Sequence, residues 1–132
     1  GLKDGTIDAI VSDHTPQDQD AKRLPFAQAE FGSVGLETLL ALTLNLVNES
    51  QISLSRALKL LSYNPSKILG IKSGEIKKNI DADLMIFDPK KSWKINPNDF
   101  YSKSKNTAFD WLLVEGKNIF TFIRGRIVFS NL

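Results

Sequence analysis

Hydrophobic and polar positions divide the chain into a helix-rich first half and a β-rich second half. Residues 6–11, Thr6-Ile7-Asp8-Ala9-Ile10-Val11, are rich in β-branched side chains and bounded by Asp4-Gly5 and by polar residues. That pattern predicts a short buried strand. Residues 13–33 have no period; they carry Pro16, Pro25 and Gly32 around one apolar knot, Leu24-Pro25-Phe26. A connection this long is either functional or a plain surface loop. Leu36, Leu39, Leu40, Leu44 and Val47 then share one face at helical spacing, and Leu42 and Leu46 add a second. A helix over 36–47, buried on more than one flank, is expected, with Glu37 near its positive end. Ser53 suits the N-cap of a second helix whose stripe is Leu54, Ala57, Leu58 and Leu61. Asn64-Pro65 should end it, because the residue before proline is pushed out of helical geometry. Pro65 can open a short third helix, stopped at Gly70.

From Ile71 the character changes. Turn signals at Asp81-Ala82-Asp83 and Asp88-Pro89 bracket Leu84-Met85-Ile86-Phe87, a buried-strand pattern, and Trp93-Lys94-Ile95 alternates like an edge strand. Residues 96–110 are polar and loop-like. Strands are expected over 111–114, 119–123 and 126–129, the last two joined at Arg124-Gly125 as a hairpin. Two units follow from the change of pattern, 1–71 and 72–132.

Composition narrows the class. With 132 residues, 42% hydrophobic and 24% charged, the chain suits one modest domain or two small ones. The net charge is only +2 and the lysines are scattered, so no nucleic-acid footprint is present. No apolar run is long enough to span a bilayer, and there is no signal-peptide pattern. Cysteine is absent, which excludes disulfides and agrees with a cytoplasmic setting. The chain opens without Met on a turn-like Gly1-Leu2-Lys3-Asp4-Gly5, which reads as the interior of a domain, so a piece of a longer protein is expected.

The candidate chemistry centres on Asp13, a carboxylate lifted off the end of the first strand, where parallel α/β folds gather functional groups. Its ordinary role would be to cap a turn. Catalytic zinc usually takes three protein ligands, and this chain has one His and no Cys. Asp13 and His14 are neighbours that should point to opposite faces of a strand. Any metal would therefore draw most ligands from sequence outside this chain. No nucleophile motif accompanies His14, and no phosphate loop is present. Gly32 and Gly35, ahead of the Leu36 helix, could offer backbone N–H groups to an anion, although starting a helix after a loop is the role their spacing favours. His14 alone is more often a packed or hydrogen-bonded histidine than a ligand.

The run Asp4-Gly5-Thr6-Ile7-Asp8-Ala9-Ile10-Val11-Ser12-Asp13-His14 resembles the last barrel strand of dihydroorotases, in the amidohydrolase superfamily. The resemblance continues from Lys22-Arg23-Leu24-Pro25-Phe26 to Phe31-Gly32 and Gly35-Leu36-Glu37-Thr38. It returns at Asn64-Pro65, Gly74, Asp81-Ala82-Asp83-Leu84, Ser102-Lys103-Ser104-Lys105-Asn106-Thr107 and from Gly125 to Val128. It implies an α/β fold: the last strand and helices of a (β/α)8 amidohydrolase barrel, plus part of a small β-sandwich. It also implies a zinc-dependent, reversible hydrolysis of dihydroorotate to N-carbamoyl-aspartate in pyrimidine biosynthesis. There, the residue matching Asp13 sits by the metal and shuttles the proton from water to the leaving nitrogen.

The family pattern Asp-His-Ala-Pro-His is changed here to Asp13-His14-Thr15-Pro16-Gln17. The second His of that pattern helps hold the substrate carboxylate; Gln17 can donate a hydrogen bond but carries no charge. Phe31-Gly32 stands where the family has a Pro-Gly pair whose backbone meets the substrate ring. The resemblance thus assigns Asp13 to catalysis and metal binding, and Gln17, Phe31 and Gly32 to substrate. Two alternatives stand beside it: a non-catalytic scaffold for aspartate transcarbamoylase, and a related cyclic-amide hydrolase such as a hydantoinase or allantoinase. Exposed apolar faces are expected to be covered by the remainder of the parent chain or by self-association.

Overall fold

In a computed structural model, which describes residues 1–131, the chain forms four α-helices and one three-stranded sheet. The helices are α1 (Gln19–Lys22), α2 (Leu39–Asn48), α3 (Leu54–Leu58) and α4 (Asn64–Leu69); the strands are β1 (Leu84–Lys94), β2 (Leu113–Ile123) and β3 (Arg126–Ser130). None of the helices is long and apolar enough to cross a membrane.

The strand expected over 6–11 does not form. The segment is extended but pairs with no strand among the described residues, and Val11 is 75% exposed. A parallel strand needs neighbours to take its N–H and C=O groups. Here the segment is held instead by single bonds, from Ile10 N–H to the Leu60 carbonyl (3.1 Å) and from the Asn64 amide to the Asp8 carbonyl (2.8 Å). The Arg56 guanidinium adds a bond to the Ile7 carbonyl at 2.8 Å.

The helix expected from residue 36 begins three residues later, because residues 36–38 form a turn. Ser53 does cap α3, its hydroxyl accepting the Arg56 N–H at 3.1 Å. Asn64-Pro65 does not end that helix. A π turn, Lys59–Tyr63, links α3 to α4, with Asn64 N–H reaching back five residues to the Lys59 carbonyl. Asn64 itself is helical (φ −65°, ψ −46°). The wider turn resets the hydrogen-bond register so that Pro65 falls at the start of α4, where its missing N–H costs little. Gly70 closes α4 in the left-handed conformation, as its position suggested.

The two strands expected around Asp88-Pro89 are one. β1 runs through them, with a register irregularity between Asp88 and Ser92 that accommodates the proline. It is an edge strand of an antiparallel sheet ordered β1-β2-β3, so Leu84, Met85 and Ile86 are exposed rather than buried. Similarly, 113–123 form one continuous central strand. The Arg124-Gly125 turn has positive φ at both residues (48° and 77°), the geometry favoured in tight hairpins. The Asp81-Ala82-Asp83 run holds that turn: Asp83 accepts the Arg124 N–H (2.8 Å) and the Ala82 carbonyl accepts the Gly125 N–H (3.0 Å).

α2 serves two apolar cores. Ala41 buries with Val34, Ile95, Phe100 and Val114, flanked by Leu42 and Trp93. Further along, Leu46 and Val47 pack on the second core, Ile52, Ala57 and Leu60. Between them Leu44 lies against Gly116 of β2. A Cβ at Gly116 would overlap the Leu44 Cδ1, and the Gly116 backbone has φ +97°.

Candidate functional site

Asp13 ends the extended segment in the left-handed region, φ 43°, a conformation that Asp tolerates better than most residues. Its side chain is exposed, and its carboxylate enters no hydrogen bond or ion pair among the described residues. It does not cap the turn; only its carbonyl is used, by the Thr15 hydroxyl at 3.2 Å.

His14 turns the other way. Its Nδ1 accepts the N–H groups of Gly35 (3.2 Å) and Leu36 (3.4 Å). A ring accepting at Nδ1 carries its proton at Nε2 when neutral. These bonds also answer the question of the two glycines: the N–H of Gly35 faces His14, not an open anion site. Gly35 is required sterically, since a Cβ there would run into the Ser12 carbonyl.

Two loops meet here. His14 and Ser33 form a parallel bridge, with Thr15 N–H bonded to the Ser33 carbonyl at 3.1 Å. Gly32 (φ 113°) lies so close to Thr15 that a Cβ would overlap the Thr15 carbonyl. Asp13, Gln17 and the Phe31-Gly32 pair thus all lie within three residues, along the chain, of one short bridge. Phe31 is 90% exposed, its ring covered by nothing in the described chain, whereas Gln17 is half-buried.

A third segment holds both loops from outside. The Ser104 hydroxyl donates to the Gln17 carbonyl (2.6 Å), and the Asn106 amide donates to the Gly32 carbonyl (3.3 Å). The Asn106 carbonyl accepts the Val34 N–H at 2.7 Å. The Glu37 carboxylate fixes the start of the segment by accepting the N–H groups of Tyr101 (3.1 Å) and Ser102 (3.2 Å). Sequence reasoning placed Glu37 at a helix end and in a run shared with dihydroorotases, and Ser104 and Asn106 in another such run, but gave none of the three a role at the site. The available signals were that resemblance and a dense run of hydrogen-bonding residues in a loop.

Two hollows lie nearby. A cavity of about 600 Å³ between α2 and the sheet is lined by Leu40, Met85, Trp93 and Phe129 among others. A cleft of about 470 Å³ is bounded by Pro16, Gln17, Lys103 and Lys105. Asp13 lines neither. Among the described residues no three His, Cys, Asp or Glu side chains come together as a metal site. Asp13, without a side-chain partner among the described residues, fits as one donor to a metal; His14 Nδ1 is already committed.

The chain belongs to the amidohydrolase family, whose model matches residues 1–128. It is 43% identical to a dihydroorotase of Syntrophus aciditrophicus (strain SB) over 99% of its own length and 31% of that protein. It is 44% identical to a dihydroorotase of Wolbachia sp. subsp. Drosophila simulans over 99% of this chain and 30% of that one. Among solved structures, an L-hydantoinase from Arthrobacter aurescens superposes with a TM-score of 0.92 at 33% identity, over 98% of this chain and 30% of that chain. A dihydropyrimidinase from Brevibacillus agri superposes at 0.86 with 26% identity, over the same shares. The chain therefore spans about 30% of the length of the relatives it matches.

Proposed function

We propose that this chain is the carboxyl-terminal part of a dihydroorotase, with residues 1–71 completing a (β/α)8 barrel and 72–132 contributing to a small β-sandwich. The observation that carries the reading is the Asp13 carboxylate: exposed, without a partner among the described residues, and next in the chain to the bridge of His14 with Ser33 that joins the loops of Gln17 and Phe31-Gly32. The identity of 43% to a dihydroorotase supports the choice of reaction. In that reaction water adds to the ring amide carbonyl of dihydroorotate, the C–N bond breaks, and the nitrogen leaves with a proton, giving N-carbamoyl-aspartate. Asp13 accepts the proton from water and returns it to the departing nitrogen. Gln17 donates a hydrogen bond to the substrate carboxylate, and the Phe31-Gly32 backbone orients the ring. Asp13 would be one ligand of a zinc ion whose other ligands would come from sequence outside this chain, and the ion would supply acidification of the water and polarisation of the carbonyl. The isolated chain is accordingly inactive. The parent protein works in pyrimidine biosynthesis in the cytoplasm, and its remainder, or a second copy, covers the apolar side chains exposed here.

The test uses the full-length protein with zinc. Asp13→Asn should lower turnover of dihydroorotate by about 10²–10⁴-fold, while shifting stability by no more than about 0.5 kcal/mol, since the carboxylate bonds to nothing among the described residues. Turnover at the parent rate would refute the assignment. The likeness to an L-hydantoinase, TM-score 0.92, favours a second reading, hydrolysis of another cyclic amide. Rates on dihydroorotate, hydantoin and allantoin separate the two. Gln17, in place of a charged group, favours a third, a non-catalytic partner of aspartate transcarbamoylase. No turnover of any of these substrates, together with co-purification of that enzyme, would establish it.

A further inference from the structure

The two loops that carry Gln17 and Phe31-Gly32 also bond each other directly, through the Thr15 N–H to the Ser33 carbonyl, the contacts of His14, the Glu30 N–H to the Ala21 carbonyl and the Lys22 ammonium to the Glu30 carbonyl, but among the described residues none of these bonds engages Gln17, Phe31 or Gly32 itself. Neither loop contains a strand ladder or a long helix that would fix it; α1, just after Gln17, is four residues long. Gln17 and Gly32 themselves are held by the segment 102–106, more than seventy residues downstream. The Ser104 hydroxyl meets one loop at the Gln17 carbonyl, and the Asn106 side chain meets the other at the Gly32 carbonyl. The two clamp residues are coupled, because Asn106 N–H also points at the Ser104 oxygen at 3.5 Å. The base of the clamp is firm. Glu37 holds its entrance with two bonds, and Lys105 Nζ donates to the Phe100 carbonyl at 2.6 Å. Phe100 itself is buried in the core with Val34.

We propose that Ser104 and Asn106 are positioning residues that set the separation between Gln17 and the Phe31-Gly32 pair. Neither need touch the substrate: each bonds a backbone carbonyl of the residue whose side chain or backbone faces it. Loosening either bond lets one loop move relative to the other, while the segment that leads into Asp13 stays anchored by the Leu60 carbonyl, Asn64 and Arg56. The kinetic part of this proposal rests on the dihydroorotase reading. Substrate binding should therefore weaken while the proton-transfer step is retained.

The experiment compares Ser104→Ala, Ser104→Thr and Asn106→Asp in the full-length, zinc-loaded protein. Ser104→Thr keeps the hydroxyl, and Asn106→Asp removes the donor while leaving the size unchanged. Amide hydrogen exchange is followed over 14–19 and 31–35, and kcat and KM are measured on dihydroorotate. Ser104→Ala and Asn106→Asp should speed exchange in both stretches about tenfold. They should also raise KM about tenfold, the effect of one lost hydrogen bond, with kcat within about threefold of the parent. Ser104→Thr should resemble the parent. Unchanged exchange in both disruptive variants would overturn the clamp. Faster exchange with unchanged KM, or a loss confined to kcat, would overturn its role in positioning substrate groups. If the parent protein does not turn over dihydroorotate, the functional reading fails and exchange alone decides whether the clamp exists.

Discussion

The contact between Leu44 of α2 and Gly116 of β2 makes a quantitative prediction. Gly116→Ala introduces two separate faults. The backbone at φ +97° is one that a residue with a Cβ adopts only at a cost of about 1–3 kcal/mol. The added methyl also overlaps Leu44, which is 2% exposed and has little space to turn into; overpacking of this kind costs about 1–3 kcal/mol. The single variant should thus lose about 2–6 kcal/mol. Leu44→Ala alone should lose about 3–5 kcal/mol through the cavity it leaves. In the Leu44→Ala background the overlap is gone, so Gly116→Ala should cost only the backbone share, about 1–3 kcal/mol. Guanidinium denaturation of the full protein would read the cycle. Trp93 is a local reporter, as its indole N–H donates to the Gly116 carbonyl at 2.9 Å. A coupling of about 1–3 kcal/mol is expected. Strict additivity would show that the helix does not rest on that glycine.

Two further perturbations bear on the scaffold. Glu37→Ala removes the acceptor of two backbone N–H groups at the clamp entrance and should cost about 1–3 kcal/mol in a denaturant titration, with Glu37→Gln, which keeps one oxygen, costing less. At the amino end, the Thr6 hydroxyl, then the Thr6 N–H, hold the Asp4 carboxyl below its ordinary value. Because the folded-state value is depressed, the contribution of Asp4 is present above the ordinary carboxylate range and lost as pH falls through the folded value. Carboxyl-carbon NMR titration of Asp4 should show the lowered midpoint, and Thr6→Val should bring it back toward the ordinary range; an unmoved midpoint in that variant would assign the shift elsewhere.

Local signals were legible in the sequence where the physics is local. The Ser53 cap, the Gly70 stop and the Arg124-Gly125 turn each depend on the conformational preference of one or two residues, and each stands where the pattern put it. The long amphipathic helix was likewise readable, apart from its first turn. Residues 6–11 misled because β-branched composition reports what a strand would tolerate, whereas a ladder depends on neighbours remote in sequence. Pro65 and Pro89 misled in the opposite direction: each was read as a break, and a π turn and a strand irregularity carried the chain past them. At the candidate site, Asp13 and the Phe31-Gly32 pair were visible by position and resemblance. The Ser104 and Asn106 bonds were not, since each joins residues more than seventy apart and neither side chain advertises its partner.

The double duty of α2 has an evolutionary corollary. A ten-residue helix with neighbours on both flanks has almost no neutral positions along its middle. Drift at Ala41 must be answered among Val34, Ile95, Phe100 and Val114, and drift at Leu46 or Val47 must be answered among Ile52, Ala57 and Leu60. Substitutions should therefore travel in two separate sets that meet only at Leu44, where the facing residue, Gly116, has no side chain with which to compensate.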